Sequence, residues 1–346
     1  MKTVYSNDHV LHDVRFEKLS TGEAPCFEKP ERAEEVIKHI REAKIGSLIS
    51  PVEHGLEPLL KVHSTAYIEF LAQAWTQWEA KYGAEHQATP YCFPNRSAVT
   101  RVPQHIQGKL GFYTFDLSAA ITPGTWQAVR SSANVALSGV DLLLAGETSA
   151  FSLCRPPGHH AGRDLMGGYC YLNNAAIATQ AFLDAGYKKA AILDVDYHHG
   201  NGTQSIFYHR NDVFYLSIHG DPDQEYPHYW GFADEAGVGA GVGVNHNIPL
   251  SLGLTDWQVY SRALDQCLAK IREFDPDCLV VSLGLDTFEN DPMAAFKLKS
   301  ADYLTMGSMI AQANLPTLFI FEGGYAIEAL GLNTVNVLTG FEDSRS

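Results

Sequence analysis

Five short runs rich in β-branched, aromatic and leucine side chains restrict the fold of this chain more than any other feature: SAFSLC (149–154), AAILDV (190–195), VFYLSI (213–218), LVVSLG (279–284) and TLFIFE (317–322). Each is apolar at consecutive rather than alternate positions. Successive side chains of a strand point to opposite sides of a sheet, so such a strand has to be buried on both faces. Helical spacing fills intervals between the runs, as in NNAAIATQAFLDAG (173–186) and DWQVYSRALDQCLAKIREF (256–274), the latter opened by Thr255 and Asp256 as caps. The pattern predicts an α/β fold with a mostly parallel, multi-stranded sheet and helices on both faces. No repeat, low-complexity tract or linker rich in Pro, Gly and Ser divides the 346 residues, so one domain spanning 1–346 is expected.

A hydrophobic content of 45% is enough for a sizeable core in a chain of this length. The formal charge of −15, from 40 acidic against 25 basic side chains, disfavours nucleic acid and anionic membranes as partners. It either draws in a cationic ligand or reflects a well-solvated surface. The opening MKTVYSNDHVLHDVRF lacks the apolar core of a signal peptide, and no run approaches the roughly 18 apolar residues that span a bilayer. Six cysteines (Cys26, Cys92, Cys154, Cys170, Cys267, Cys278) contain no CxxC pair, which suits reduced thiols better than a disulfide frame or a zinc finger. A cytoplasmic location is expected.

The segments that leave the five runs point to chemistry. SLC leads into RPPGHHAGRD, AIL into DVDYHHGNG, YLSI into HGDPD, VVSLG into LDTFEND and FIF into EGGYA. In an open α/β sheet, ligands bind outside the carboxyl ends of the strands. Alternation puts Asp194, Asp196 and His198 on one side of an extended segment and Val195, Tyr197 and His199 on the other. Adjacent carboxylate and imidazole suit Zn²⁺ or a similar divalent ion, and Asp286 at another strand end is the best-placed third ligand. The competing reading of DVDYHHGNG is a hydrogen-bonded turn shaped by Gly200 and Gly202. His159 and His160 are natural acid/base groups, since imidazole changes charge near neutral pH; the alternative is a pair of core or surface histidines. Tyr325, after two glycines, is either an oxyanion donor or a packing residue of a turn.

RPPGHHA, DVDYHHGNG, SLGLDTFEND and EGGY, in that order along most of the chain, resemble the histone deacetylase superfamily. FEKPERAEEV, MGGYCYLNN and RVPQHIQGKLGFYTFDLSAAITPGTW, within an insertion at about 80–125, resemble its bacterial acetylpolyamine amidohydrolase branch. The resemblance implies an arginase/deacetylase-like fold with Zn²⁺ held by Asp196, His198 and Asp286, ligands that also accept Fe²⁺ or Co²⁺. It implies His159 as general base and His160 as general acid, a division the residues alone leave open, with Asp194 behind the first and Asn201 behind the second. A carboxylate favours an imidazolium, whereas an amide fixes the ring without favouring its charge. Tyr325 would join the metal in polarising the acetyl carbonyl, and Tyr169 and Tyr226 would wall the tunnel. A structural K⁺ would sit at the backbone of Asp194, Asp196 and His198 with Ser217 and Ile218, and a second alkali ion near Phe207, Arg210 and Val213. The insertion would support a homodimer that narrows the tunnel. Where that branch carries insertion acids, this chain has Gln107 and Ser118, which leaves Asp116 as the nearest carboxylate for a cationic substrate.

The implied reaction is hydrolysis of small N-acetylated amines, acetylputrescine or acetylcadaverine, to acetate and free amine. Acetyl-lysine peptides are the alternative substrates. An inactive metal-binding module would lack a catalytic group, yet His159, His160 and Tyr325 are all present. A two-metal ureohydrolase would need further Asp/His ligands bridging a second ion, and one Asp-x-His pair with one strand-end Asp suits a single metal better.

Overall fold

Neighbouring side chains of the central strands enter two separate apolar layers. Ala190, Ile192, Val280, Leu318 and Ile320 pack on one face of the sheet, and Ala191, Leu193, Val281, Phe319 and Phe321 on the other. Continuous apolar runs are buried in this way only when helices cover both faces. The computed structural model describes residues 1–19, 22–95 and 101–345; part of the insertion, residues 96–100, lies outside the described residues.

The strands are β1 (Lys2–Val4), β2 (Phe16–Leu19), β3 (Gly22–Pro25), β4 (Leu48–Ile49), β5 (Ser149–Ser152), β6 (Ala190–Asp194), β7 (Val213–Gly220), β8 (Asn245–Leu250), β9 (Cys278–Leu283) and β10 (Thr317–Phe321). Eight of them form one sheet in the order β4-β1-β5-β10-β9-β6-β7-β8, and all of its pairs are parallel. Strands β2 and β3 make a separate antiparallel hairpin. The five runs expected to be strands are β5, β6, β7, β9 and β10, and they are contiguous in the sheet. Their carboxyl ends therefore share one continuous edge.

The helices are α1 (Glu31–Ala43), α2 (Glu57–Val62), α3 (Thr65–Tyr82), α4 (Ile106–Phe112), α5 (Thr125–Leu144), α6 (Asn174–Asp184), α7 (Asn201–Phe207), α8 (Trp257–Phe274), α9 (Ser300–Ala311) and α10 (Ile327–Asp343). Buried residues of α1, α8, α9 and α10 pack on one sheet face, and those of α2 to α6 on the other. Caps explain where the two expected helices begin. Asn173 Oδ1 accepts the Ala176 N–H at 2.9 Å, and Asp256 Oδ1 accepts the Val259 N–H at 3.1 Å. Thr255 is not the cap; its hydroxyl donates to the Ser251 carbonyl at 2.9 Å. Among the described residues, no helix is long and apolar enough to cross a membrane.

Candidate active site

Strand β6 ends at Asp194, and the next turn delivers Asp196 and His198 to the rim; β9 delivers Asp286 beside them. The ligand atoms of Asp196, His198 and Asp286 all lie within 4.8 Å of one another, and all three residues are buried. His198 Nδ1 is 3.1 Å from Asp286 Oδ2 and 3.5 Å from Asp196 Oδ1. Backbone donors aim the carboxylates: Gly323 N–H donates to Asp196 Oδ2 at 2.8 Å, and Tyr197 N–H to Asp286 Oδ1 at 2.8 Å. Only glycine fits at 323, because an added Cβ would lie 2.5 Å from Asp286 Oδ2 and 2.6 Å from Asp196 Oδ2.

Burial opposes both carboxylate charges. Burial and the nearby Asp196 push Asp286 up to about 7, whereas His159 and His198 outweigh burial at Asp196 and hold it well below the usual range. Among the described residues, no lysine or arginine makes an ion pair with either acid; their ion-pair partners are His159 and His198. Two dry carboxylates and an imidazole whose donor atoms converge without a fixed cation fit a divalent metal ion.

The structure brings both histidines of RPPGHHAG to this cluster. His159 Nδ1 faces Asp194 Oδ2 at 3.1 Å, leaving Nε2 directed at the metal ligands, 3.8 Å from Asp196 Oδ1. His160 Nδ1 faces Asn201 Oδ1 at 2.8 Å, and the two rings lie 4.0 Å apart between centroids. Burial alone would lower His159, but Asp196 and then Asp194 reverse this and push it up to about 10. Burial, followed by repulsion from His159 and His198, holds His160 well below its ordinary value. The two adjacent imidazoles are thus split: Asp196, with Asp194 acting in the same sense, raises His159, while burial and the neighbouring histidines lower His160 against the opposing effect of its bond to Asn201.

Tyr325 follows β10 and lines the same pocket. Its loop is held by Arg32, whose Nε donates to the Gly324 carbonyl at 2.6 Å, whose other amino group donates to the Glu322 carbonyl, and whose guanidinium lies 4.8 Å from the Tyr325 ring centroid. Arg32 is itself paired with buried Glu28 at 3.0 Å, which also binds Arg155 at 2.8 Å. The FEKPERAEEV segment therefore acts at a distance, through the backbone around Tyr325.

The pocket above these groups has a volume of about 300 Å³ and is walled by Tyr169, Tyr226 and Met293. Each wall tyrosine donates its hydroxyl to a carboxylate: Tyr169 to Glu17 at 2.6 Å and Tyr226 to Asp116 at 2.7 Å. Tyr169 has φ +64°, a left-handed conformation that bulky residues adopt only where surroundings enforce it. Asp116 is half-buried at the pocket and also accepts the N–H groups of Gly168 and Ser118 at 2.9 and 3.0 Å. Ser118 lines the pocket too. Gln107 is buried in α4 and donates to the Thr89 carbonyl at 3.0 Å.

The residues that the resemblance assigns to alkali ions lie at the end of β6 and the turn after it, along β7, and between α7 and β7. Asp194 and Ser217 are register partners on adjacent strands, Ile218 follows, and the Ser217 hydroxyl meets His219 Nδ1 at 2.8 Å. Phe207, Arg210 and Val213 share the turn from α7 into β7, with Arg210 N–H on the Phe207 carbonyl at 2.9 Å and the Arg210 guanidinium on Asp212 at 2.7 Å.

Several site residues come to light only in three dimensions. Tyr215 donates to Asp194 Oδ2 at 3.0 Å, Glu17 and Glu225 line the pocket, and Glu322 Oε2 accepts the Gly158 N–H at 2.7 Å and the His159 N–H at 3.2 Å. Glu322 opens the motif EGGY, so a strand-end carboxylate is its signal in the sequence; Glu17 carries none, being 152 positions from its partner Tyr169.

Comparison with known proteins gives the family. The histone deacetylase domain matches residues 26–341. Acetylpolyamine amidohydrolase 1 of Pseudomonas aeruginosa is 54% identical over 344 residues, covering 99% of each chain, and the acetylpolyamine amidohydrolase of Mycoplana ramosa is 49% identical over 340 residues, covering 98% of this chain and 99% of its own. The crystal structure of acetylpolyamine aminohydrolase from Burkholderia pseudomallei superposes with a TM-score of 0.95 at 36% identity, covering 100% of both chains. With its strand-end triad, paired histidines and glycine-borne tyrosine in one pocket, this chain belongs to the histone deacetylase family.

Proposed function

We propose that this protein is a metal-dependent deacetylase that hydrolyses small N-acetylated amines, acetylputrescine and acetylcadaverine first among them, to acetate and free amine. The carrying observation is the convergence of Asp196–His198–Asp286, His159–His160 and Tyr325 at the base of one pocket. The relatives named for acetylpolyamines match nearly the whole chain and so support the substrate class. Glu17, Asp116 and Glu225 around the pocket suit a substrate with a second, protonated amine.

Zinc is the metal we assign to the triad, in keeping with its oxygen and nitrogen donors; Fe²⁺ or Co²⁺ fits the same set. When bound, such an ion supplies Lewis acidity toward the acetyl carbonyl and toward water. The chain's own groups do the rest. His159 Nε2 takes the proton of the attacking water, and Asp194 on Nδ1 stabilises the resulting imidazolium. His159 returns that proton to the departing amine; His160, held neutral by burial with its Nδ1 steadied on Asn201, shares the donation only once it has itself gained a proton at Nε2. Tyr325 donates its hydroxyl to the oxygen that gains charge. Tyr169 and Tyr226 confine the acyl chain, and Asp116 faces its distal cation.

Potassium is proposed at the backbone of Asp194, Asp196 and His198 with Ser217 and Ile218, supported by the pairing of Asp194 with Ser217; a second alkali ion is proposed near Phe207, Arg210 and Val213. A homodimer built through the 80–125 insertion, and a cytoplasmic setting that suits six unpaired cysteines, complete the proposal. A two-metal site is disfavoured, since the described residues offer one group of three ligands.

The test is kcat/KM of the zinc-loaded enzyme for N-acetylcadaverine and N-acetylputrescine beside an acetyl-lysine peptide. Preference for the small amines is expected. Equal or faster turnover of the peptide would assign the protein to lysine deacetylation instead.

A further inference from the structure

Asp291 lies five positions beyond the metal ligand Asp286, in the segment LDTFEND, and is only 6% exposed. Its carboxylate is bonded to main-chain donors. Oδ2 accepts the N–H of Tyr325 at 2.6 Å and that of Ala326 at 3.1 Å, while Oδ1 accepts the Met293 N–H at 2.9 Å. One buried side chain therefore joins the loop after β9, the pocket wall at Met293 and the backbone of Tyr325.

Other holds on this region make the Asp291 contact specific in its effect. The 286–291 loop is anchored independently: Asp291 N–H donates to the Phe288 carbonyl at 3.0 Å, Glu289 N–H to the Leu298 carbonyl at 2.8 Å, and Thr287 meets the Tyr303 hydroxyl at 2.9 Å. Upstream of Tyr325, Arg32 holds the carbonyls of Glu322 and Gly324, and Gly323 N–H is bonded to Asp196. Gly324 has φ +121°, so the chain turns sharply just before Tyr325. At Tyr325 itself the N–H anchor is the Asp291 carboxylate. The Tyr325 ring direction depends on its own backbone angles, so releasing this anchor loosens the main chain that aims the ring, while the preceding residues stay held and the Arg32 guanidinium and Tyr169 ring still pack on the ring itself.

We propose that Asp291 is a positioning residue for deacetylation, acting through Tyr325 by fixing the main chain from which its hydroxyl reaches the substrate carbonyl. This rests on the reading of Tyr325 as oxyanion donor. A donor of that kind contributes about 10²- to 10³-fold in kcat, and a displacement of about 1 Å forfeits much of it. Loss of the anchor is expected to cost roughly tenfold in kcat on that scale.

A double-mutant cycle with Asp291→Ala and Tyr325→Phe decides the matter, with acetate release from N-acetylcadaverine and bound zinc measured for each zinc-loaded protein. In the wild-type background, Asp291→Ala is expected to lower kcat about tenfold with zinc content unchanged; in the Tyr325→Phe background it is expected to change kcat by less than about threefold. Asp291→Asn, which keeps the size and one acceptor oxygen, is expected to fall between wild type and alanine and serves in the cycle if the alanine variant does not fold. Full additivity with Tyr325→Phe, or a loss that follows zinc content, would show that Asp291 serves only the fold or the Asp286 loop, and the role is then wrong. A wild-type protein that releases no acetate from any acetylated amine overturns the functional reading itself, and this role with it.

Discussion

Replacing Gly323 by alanine measures how tightly the metal ligands are packed. An added Cβ would sit 2.5 Å from Asp286 Oδ2 and 2.6 Å from Asp196 Oδ2; with ordinary contact beginning at 3.4 Å, the two oxygens have to retreat by the difference, about 0.8 to 0.9 Å. The backbone cannot retreat in their place, because Arg32 holds the carbonyls on either side of Gly323 and its own N–H is bonded to Asp196. A functional constellation tolerates displacements of about 0.5 Å. Losing one outer hydrogen bond to a metal ligand typically costs about 10- to 100-fold in affinity, and here two ligands move together, so Gly323→Ala is expected to weaken zinc binding by about 100-fold or more, close to 2.7 kcal/mol. Competition against a chromophoric chelator reads the affinity, and far-ultraviolet circular dichroism confirms that the variant is folded. Zinc affinity within threefold of wild type, with deacetylation retained, would refute the packing reasoning.

The geometry sets three further outcomes. Tyr325→Phe should lower kcat by about 10²-fold or more, the usual effect of losing one oxyanion donor, and an unchanged kcat removes Tyr325 from the chemistry. Asp116→Asn should raise KM for N-acetylcadaverine about threefold to tenfold with kcat little altered, since a half-buried carboxylate facing an ammonium is worth about 1 kcal/mol; an unchanged KM would leave Asp116 as a support for Tyr226 alone. Burial lowers His63 from its ordinary 6.5 to about 4, and the neutral ring suits its place, accepting the Asn173 N–H at Nε2 and meeting the Arg163 carbonyl at Nδ1. The unfolded chain takes up that proton first, so the contribution of His63 is complete above pH 6.5 and shrinks as pH falls toward 4, by about 1.4 kcal/mol per pH unit. Urea unfolding between pH 6 and 4.5 should show a shallower pH slope for His63→Gln than for wild type, and equal slopes would reject this assignment.

What the sequence revealed and what it concealed have separate physical causes. The five central strands were legible because two-sided burial forces continuous apolar runs, and their chemistry was legible because it sits within a few residues of each strand end. Edge elements gave weaker signals. Strand β4 has two residues, β1 has three, and β8, NHNIPL, mixes buried and half-buried positions at the sheet margin. Asp194, Asp196, His198 and Asn201 could be read from the single motif DVDYHHGNG, but Tyr215, which steadies Asp194, reaches it across strand register. Arg32 acts on residues 290 and 292 positions away, and no local pattern announces such a contact. Resemblance aligns Gln107 and Ser118 with the insertion acids and leaves Asp116 as the nearest carboxylate; Ser118 and Asp116 line the pocket, Gln107 turns to the Thr89 carbonyl instead, and the bonding of Asp116 with Tyr226 and Gly168 is a product of tertiary approach.

The central claim, that a single metal at Asp196, His198 and Asp286 supports amide hydrolysis beside His159, His160 and Tyr325, is tested most directly by titrating metal-free protein with Zn²⁺ while following acetate release from N-acetylcadaverine. Activity should rise linearly and level off at one equivalent of zinc per chain. A plateau reached only at two equivalents, or no acetate released at any zinc concentration, would contradict it.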